Sequence, residues 1–309
     1  MEYCTFTEPQ QGFSYDELLA FALATERAGF DGFFRSDHYM RMGPGDPFPG
    51  PTDAWTALAG LARETTRIRL GTLVSSATHR APAVLAIQVA QVDEMSGGRI
   101  ELGLGTGWFE AEHRAYGIPF PAKRFGIFEE QLAIVTGLWS TPVGETFDFT
   151  GEHYMLAGAP ALPKPRQEHV PIIVGGGGPR RTPELAARFA TEFNIGFRPE
   201  NDVAVAFARV RAACERIGRD PATLKLSVAL PTIAAPDERT LARRAGATGR
   251  SLHEFRDDTN ICGDADEIAV KVERLVALGA QRIYFQTVDM RDLDQIAYLG
   301  GEVLLMLPR

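Results

Sequence analysis

The chain has 309 residues, 45% of them apolar and 23% charged, with a formal net charge of −8 and a pI of about 5.4. These are the proportions of a water-soluble globular protein, and no basic tract or aromatic–basic stripe points to a nucleic-acid partner. Cys4, Cys214 and Cys262 form neither a disulfide framework nor a zinc-binding spacing. With no signal peptide and no apolar run of about 18 residues, a cytoplasmic location away from membranes is expected.

Residues 3–8, YCTFTE, predict a first strand, and Ser14-Tyr15-Asp16-Glu17 a capping box opening a helix that Gly29 ends. Phe30–Ser36 predicts the second strand, running into Asp37-His38-Tyr39. The Gly/Pro-rich stretch Met42–Pro51 is long for a connection, which predicts a functional or mobile loop. Thr52 or Asp53 then caps a helix running to about Thr66. Arg67–Val74, Ala81–Met95 and Arg99–Gly105 read as a β–α–β unit whose strands both end in loops of Ser, Thr and Gly. A short helix at Trp108–Tyr116 and a longer one at Arg124–Trp139 follow. Residues 141–169 break the alternation: GETFDFTGEHYML has strand propensity with turns, and Pro160, Pro163 and Pro165 impose extended chain. The pattern resumes with a strand at Val170–Val174, the glycines Gly175–Gly178 and a helix at Thr182–Ala190. A strand at Glu192–Gly196, a helix at Asn201–Gly218 and a strand at Leu224–Leu230 come next. Polar residues 236–258 predict a second excursion, before a helix at Asp264–Leu278, an eighth strand at Arg282–Gln286 and a final helix at Leu293–Leu307.

Eight strands, each followed by helix, predict an α/β protein: one (β/α)8 TIM barrel over residues 1–309, with insertions after strands four and seven. An open doubly wound sheet would show one dominant Gly-rich fingerprint after the first strand, and none is present. In a barrel, ligand groups come from the C-terminal ends of several strands. His38 at such an end suits a general acid or base. Asp37 would orient it, contact the ligand, or simply cap the loop. Leu73-Val74-Ser75-Ser76 reads as a bulge or an ordinary turn, while His79 and Arg80 read as structural. Gly103-Leu104-Gly105-Thr106-Gly107 lacks side chains at alternate positions, so a planar ring could approach the backbone there. Trp108 and Phe109 would line that pocket or pack into the core. Gly175–Gly178 is the best anion site, with free N–H groups, a helix N-terminus behind it and Arg180 and Arg181 alongside. Glu8 points to the same mouth, either as a substrate-side acid or as a buried hydrogen-bonded carboxylate. Neither GxSxG, HExxH nor GxxxxGK[ST] occurs, and no cluster of metal ligands; serine chemistry and metal hydrolysis are unsupported, and no metal is expected.

The segments AGFDGFFRSDH at 28–38, RIRLGTLVSSATHRAPAVLAIQVAQVDEMSGGRIELGLGTGW at 67–108 and GEHYML at 151–156 resemble the bacterial-luciferase-like barrel enzymes. PIIVGGGGPRRTPELAARFATEFN at 171–194 and ICGDADEIAVKVERLVALGAQRIYF at 261–285 extend the resemblance over nearly the whole chain. The SDH step and the VGGGG loop are most similar to the branch that uses the deazaflavin coenzyme F420. That resemblance implies a non-proline cis peptide at Leu73–Val74 against the deazaflavin, and cofactor contacts from Asp37, Leu73, Val74, Ser76, Thr106 and Gly107. It implies a phosphate loop at Gly176, Gly177 and Gly178. It also implies proton handling by His38 with Asp37, excursions that close over the substrate, and a homodimer seamed by helices two and three. The expected activity is hydride transfer between the deazaflavin C5 and a small organic molecule, with Glu8 and Trp108 in the substrate pocket. Sugar-phosphate dehydrogenases of this branch carry a carboxylate where this chain has Trp108, so an acidic role is not carried over and a fairly apolar substrate fits better. Two rivals stand beside this reading: an FMN-dependent monooxygenase using reduced flavin and O2, and a non-catalytic barrel that merely holds a flavin.

Overall fold

The computed structural model describes residues 1–308. Its eight parallel barrel strands are β1 (Glu2–Thr7), β2 (Gly32–Arg35), β3 (Arg69–Thr72), β4 (Ile100–Gly105), β5 (Ile172–Gly175), β6 (Glu192–Gly196), β7 (Lys225–Ala234) and β8 (Arg282–Gln286). Each pairs with the next, and β8 returns to β1 with Phe6 opposite Gln286, so the barrel closes in sequence order. The strands are buried on both sides and are therefore apolar almost throughout. Side chains alternate across each strand. Tyr3, Phe33, Leu70 and Leu102 join the large core under the helices, whereas Cys4, Phe34, Ile173 and Tyr284 form the barrel's inner cluster.

Charge also lies within the barrel. Buried Arg282 is 2.6 Å from Glu101 and 2.8 Å from Glu192, and the Tyr284 hydroxyl donates to Glu192 at 2.7 Å. Burial alone would raise the Glu101 carboxyl, but Arg282 and Arg69 outweigh it and hold it below the usual carboxylate range. Such a network is costly to desolvate and tolerable only when each member is paired.

The outer helices follow the local signals. Ser14 and Glu17 form the expected capping box of α1 (Tyr15–Arg27), and Asp53 caps α2 (Ala54–Glu64) by accepting the Thr56 N–H at 2.8 Å. Pro82 opens α3 (Pro82–Ser96), where its missing N–H costs nothing. Then come α4 (Glu110–Tyr116), α5 (Arg124–Ser140), α6 (Arg181–Phe189) and α7 (Glu200–Arg216). The first excursion is an antiparallel hairpin, Phe147–Thr150 with Met155–Ala159. Glu130 of α5 ties it down by accepting the N–H groups of Glu152, His153 and Tyr154. The second holds α8 (Glu238–Ala247) and α9 (Leu252–Phe255), which share a small core of Ile233, Ala235, Leu241, Ala245 and Phe255.

Three details differ from the sequence expectation. Regular pairing of the third strand stops at Thr72, and the chain rejoins β4 only at Ser75–Ser76. The seventh strand runs on to Ala234 because a short strand, Ile261–Gly263, pairs with its end. After α10 (Ala265–Ala277), the last helix is not continuous: α11 (Leu293–Tyr298) widens into a π-helical turn over Leu299–Val303, where Gly300 and Gly301 weaken the helix. Among the described residues, no helix is long and apolar enough to cross a membrane.

Candidate active site

A cavity of about 460 Å³ opens at the C-terminal ends of the strands. Every expected site residue except Asp37 and Gly178 lines it: Glu8, His38, Leu73, Val74, Ser76, Thr106, Gly107, Trp108, Gly176 and Gly177. One side is the bulge after β3. The Leu73–Val74 peptide there is cis, and the Val74 side chain projects towards β4 and β5. This changes the meaning of the glycines in GLGTG. A Cβ on Gly103 would lie 2.0 Å from the Thr72 carbonyl oxygen, and one on Gly105 2.9 Å from Val74 Cγ2. The glycines therefore seat the bulge, and Val74 rather than bare strand is what the cavity meets.

His38 extends from the loop after β2. Its Nδ1 is 3.0 Å from Glu112 Oε2, which leaves Nε2 without a protein hydrogen-bond partner among the described residues, and the residue lines the cavity. The Trp108 and Phe109 rings approach His38 edgewise at 5.8 and 6.1 Å and stack on each other at 5.1 Å. Trp108 thus stands at the cavity rather than in the core. Glu112 lies fully buried on α4, and its other oxygen accepts the N–H groups of Tyr39 and Met40. Burial would raise its carboxyl, but the hydrogen bond to His38, the His79 ring and the Tyr39 N–H prevail and hold it well below the usual carboxylate range. Glu8 stands opposite in character. Burial pushes its carboxyl up, partly offset by His38, and among the described residues no cation pairs with it.

The structure corrects the expectation for Asp37. Its buried carboxylate accepts from Ser75 Oγ at 2.6 Å and from Arg80 at 2.5 and 3.2 Å, and it does not line the cavity. Arg80 also bridges to Asp53 at 2.5 Å. Asp37 therefore fixes the bulge and the loop beneath the site, and its carboxylate is not free to act on a ligand. Arg35, likewise buried, donates to Thr52 Oγ1 at 2.7 Å and the Thr52 carbonyl at 2.9 Å, clamping the far end of the Gly/Pro-rich loop. That loop sends Met42 into the cavity.

At the other end, Gly175, Gly176 and Gly177 line the cavity, while Gly178 is turned towards Thr182 and Phe125. The Gly176 N–H goes to the Asn194 carbonyl at 3.2 Å; among the described residues, those of Gly177 and Gly178 have no backbone partner. Arg180 and Arg181 do not line the cavity; they pair with Glu184 and Glu129. The cation beside Gly177 is Arg198, after β6, together with exposed Phe197. Sequence reasoning passed over Arg198, Phe197, Asn194, Met42 and Glu112. The first three stand at the end of a correctly placed strand, where the barrel rule alone would have nominated them. Neither excursion contributes a side chain to the cavity, so the expectation that they close over a substrate is not met in this conformation.

Residues 1–260 match the family model described as luciferase-like monooxygenase. The chain belongs to the luciferase-like monooxygenase family. An uncharacterized protein of Mycobacterium tuberculosis is 31% identical to this luciferase-like chain over 234 residues, covering 76% of this chain and 78% of that one. The F420-dependent glucose-6-phosphate dehydrogenase of Microbacterium testaceum is 36% identical over 185 residues, 58% of this chain; the match spans about half, 52%, of that protein. Among solved structures, an F420-dependent secondary alcohol dehydrogenase in complex with an F420-acetone adduct superposes with a TM-score of 0.82 at 19% identity, covering 99% of both chains. At that identity the likeness speaks for the luciferase-like fold alone.

Proposed function

We propose that this chain is an F420-dependent oxidoreductase acting on a small, fairly apolar organic molecule. The observation that carries the reading is one cavity holding three things together: the Val74 bulge, His38 with its Nδ1 held by Glu112, and the glycine loop beside Arg198. The residues fit a phosphate-bearing flavin-like group. Unpartnered N–H groups of Gly177 and Gly178 and the helix behind them suit a phosphate. Leu73, Val74, Ser76, Thr106 and Gly107 would hold the ring. When bound, F420 supplies hydride transfer at C5 of its deazaflavin. The protein's part is to orient the substrate between Phe6, Met42, Trp108 and the bulge, to exclude water, and to take or give a proton at His38 Nε2. Trp108 in place of a carboxylate, and Glu8 without a cation, favour an uncharged substrate over a phosphosugar. Exposed Val84 and Ile87 on α3 support a homodimer seamed by α2 and α3. The family description also fits an FMN monooxygenase, in which the same loop would hold the FMN phosphate, and a redox-silent flavin carrier is the remaining rival. Fluorescence titration of the apoprotein with F420 and with FMN separates the first two, and F420 reduction by a panel of secondary alcohols separates the third. Tight FMN binding without F420 binding would reject the proposal.

A further inference from the structure

We propose that Glu112 is the positioning residue of this site: it fixes His38 with the proton on Nδ1, so that the bare Nε2 faces the cavity as a base. The geometry is the imidazole–carboxylate pair in which a buried acid sets the tautomer of its histidine. Glu112 Oε2 lies 3.0 Å from His38 Nδ1, and the carboxylate is itself pinned by two backbone N–H groups, from Tyr39 and Met40. Those two donors belong to the residues directly after His38. One carboxylate therefore fixes both the ring and the loop that carries it. An acceptor at Nδ1 demands N–H there, and the neutral ring then has its lone pair at Nε2.

The groups facing this pair come from four elements. His38 meets Glu112 from α4, the Trp108 and Phe109 rings from the loop before α4, and the field of Glu8 from the end of β1. Glu112 also meets His79, whose Nε2 is 3.3 Å from Oε2 without an aligned hydrogen bond. His113 lies behind His79 at 5.1 Å between rings, with its nitrogens engaged by Phe109 O and Thr78 Oγ1. No arginine or lysine forms an ion pair with Glu112 among the described residues, so its carboxylate is held by the His38 ring and the Tyr39 and Met40 N–H groups. In the oxidative direction a substrate hydroxyl would give its proton to His38 Nε2 as the hydride on its carbon leaves for the proposed F420 acceptor. The imidazolium so formed is paired with Glu112, which stays ionised throughout, and the reverse reaction returns the proton along the same path.

This role rests on the oxidoreductase reading, but its test needs neither cofactor nor substrate. The full-length protein, labelled with 15N-histidine, is examined by long-range 1H–15N correlation from mildly acidic to alkaline pH, with His38→Gln assigning the signals. The expected result is a neutral His38 protonated at Nδ1 and bare at Nε2. In Glu112→Gln the two tautomers mix, while Glu112→Asp keeps the wild-type tautomer. A wild-type His38 protonated at Nε2 would overturn the proposal, as would a Glu112→Gln spectrum that keeps the single wild-type tautomer. Circular dichroism checks that the variants fold; the wild-type spectrum decides the tautomer even if they do not. F420 titration of the same samples is independent: a wild-type His38 protonated at Nε2 with F420 binding intact rejects the role of Glu112 alone, and a wild-type His38 protonated at Nδ1 without F420 binding rejects the cofactor reading alone.

Discussion

Asp37, Ser75, Arg80 and Asp53 tie the loop bearing His38 to the bulge bearing Val74. Removing one charge from this set strands another. Arg80→Met should cost about 3–5 kcal/mol, because it leaves the Asp37 carboxylate buried and uncompensated; urea unfolding checks this. Asp53 gives a pH signature. Burial would raise its carboxyl, but the Thr56 N–H and Arg80 bring it down to about 2, against about 3.9 in an unfolded chain. A depressed carboxylate stabilises the fold above its unfolded value and loses that contribution as pH falls towards the folded one. The urea midpoint of the wild type should therefore fall as pH drops from about 4 towards 2, and Asp53→Asn should flatten that fall. His38→Ala removes the group at the cavity together with its hydrogen bond to buried Glu112. It should cut turnover by about a hundredfold or more while the Kd for F420 hardly moves; steady-state rates with an unchanged titration would show it, and undiminished turnover would remove His38 from the proton step.

At the level of elements, the GLGTG stretch is the clearest test of the revised glycine argument. Gly103→Ala drives a Cβ into the Thr72 carbonyl and should destabilise by about 1–3 kcal/mol as an overpacked site. Gly246→Ala, at an exposed helical site with nothing within 4 Å, should be neutral or stabilise by up to about 1 kcal/mol. Equal effects in thermal melts would contradict the seating role. Glu130→Ala should speed amide exchange in the hairpin at residues 147–159 without altering F420 affinity, since the hairpin supplies no cavity side chain. Caps, strands and the bulge were legible because their signals are local: Ser14 with Glu17, Asp53 before an apolar run, small residues at strand ends. Glu112 was not, because it meets His38 across 74 positions and only once α4 has folded back over the loop after β2. Arg180 looked like part of the anion site by adjacency, but a helix start turns successive side chains in different directions, and it is Arg198 from another strand that arrives.

On the scale of the whole molecule, sequential pairing of eight strands brings Glu8, His38, Val74, Thr106, Gly177 and Arg198 from six different strand ends to one mouth. The barrel's alternation of strand and helix was readable throughout; which inward residues are charged, and how Arg282 neutralises Glu101 and Glu192, emerges only on closure. The function proposed here stands on that mouth being a deazaflavin site. The most direct measurement is a parallel titration of the apoprotein with F420 and FMN, followed by fluorescence, on the wild type and on a Gly177→Asp variant that places a carboxylate in the glycine loop. Saturable F420 binding at least about tenfold tighter than FMN, a difference of about 1.4 kcal/mol, is expected, with loss of F420 binding in Gly177→Asp. FMN binding tighter than F420, or F420 affinity untouched by Gly177→Asp, would contradict it.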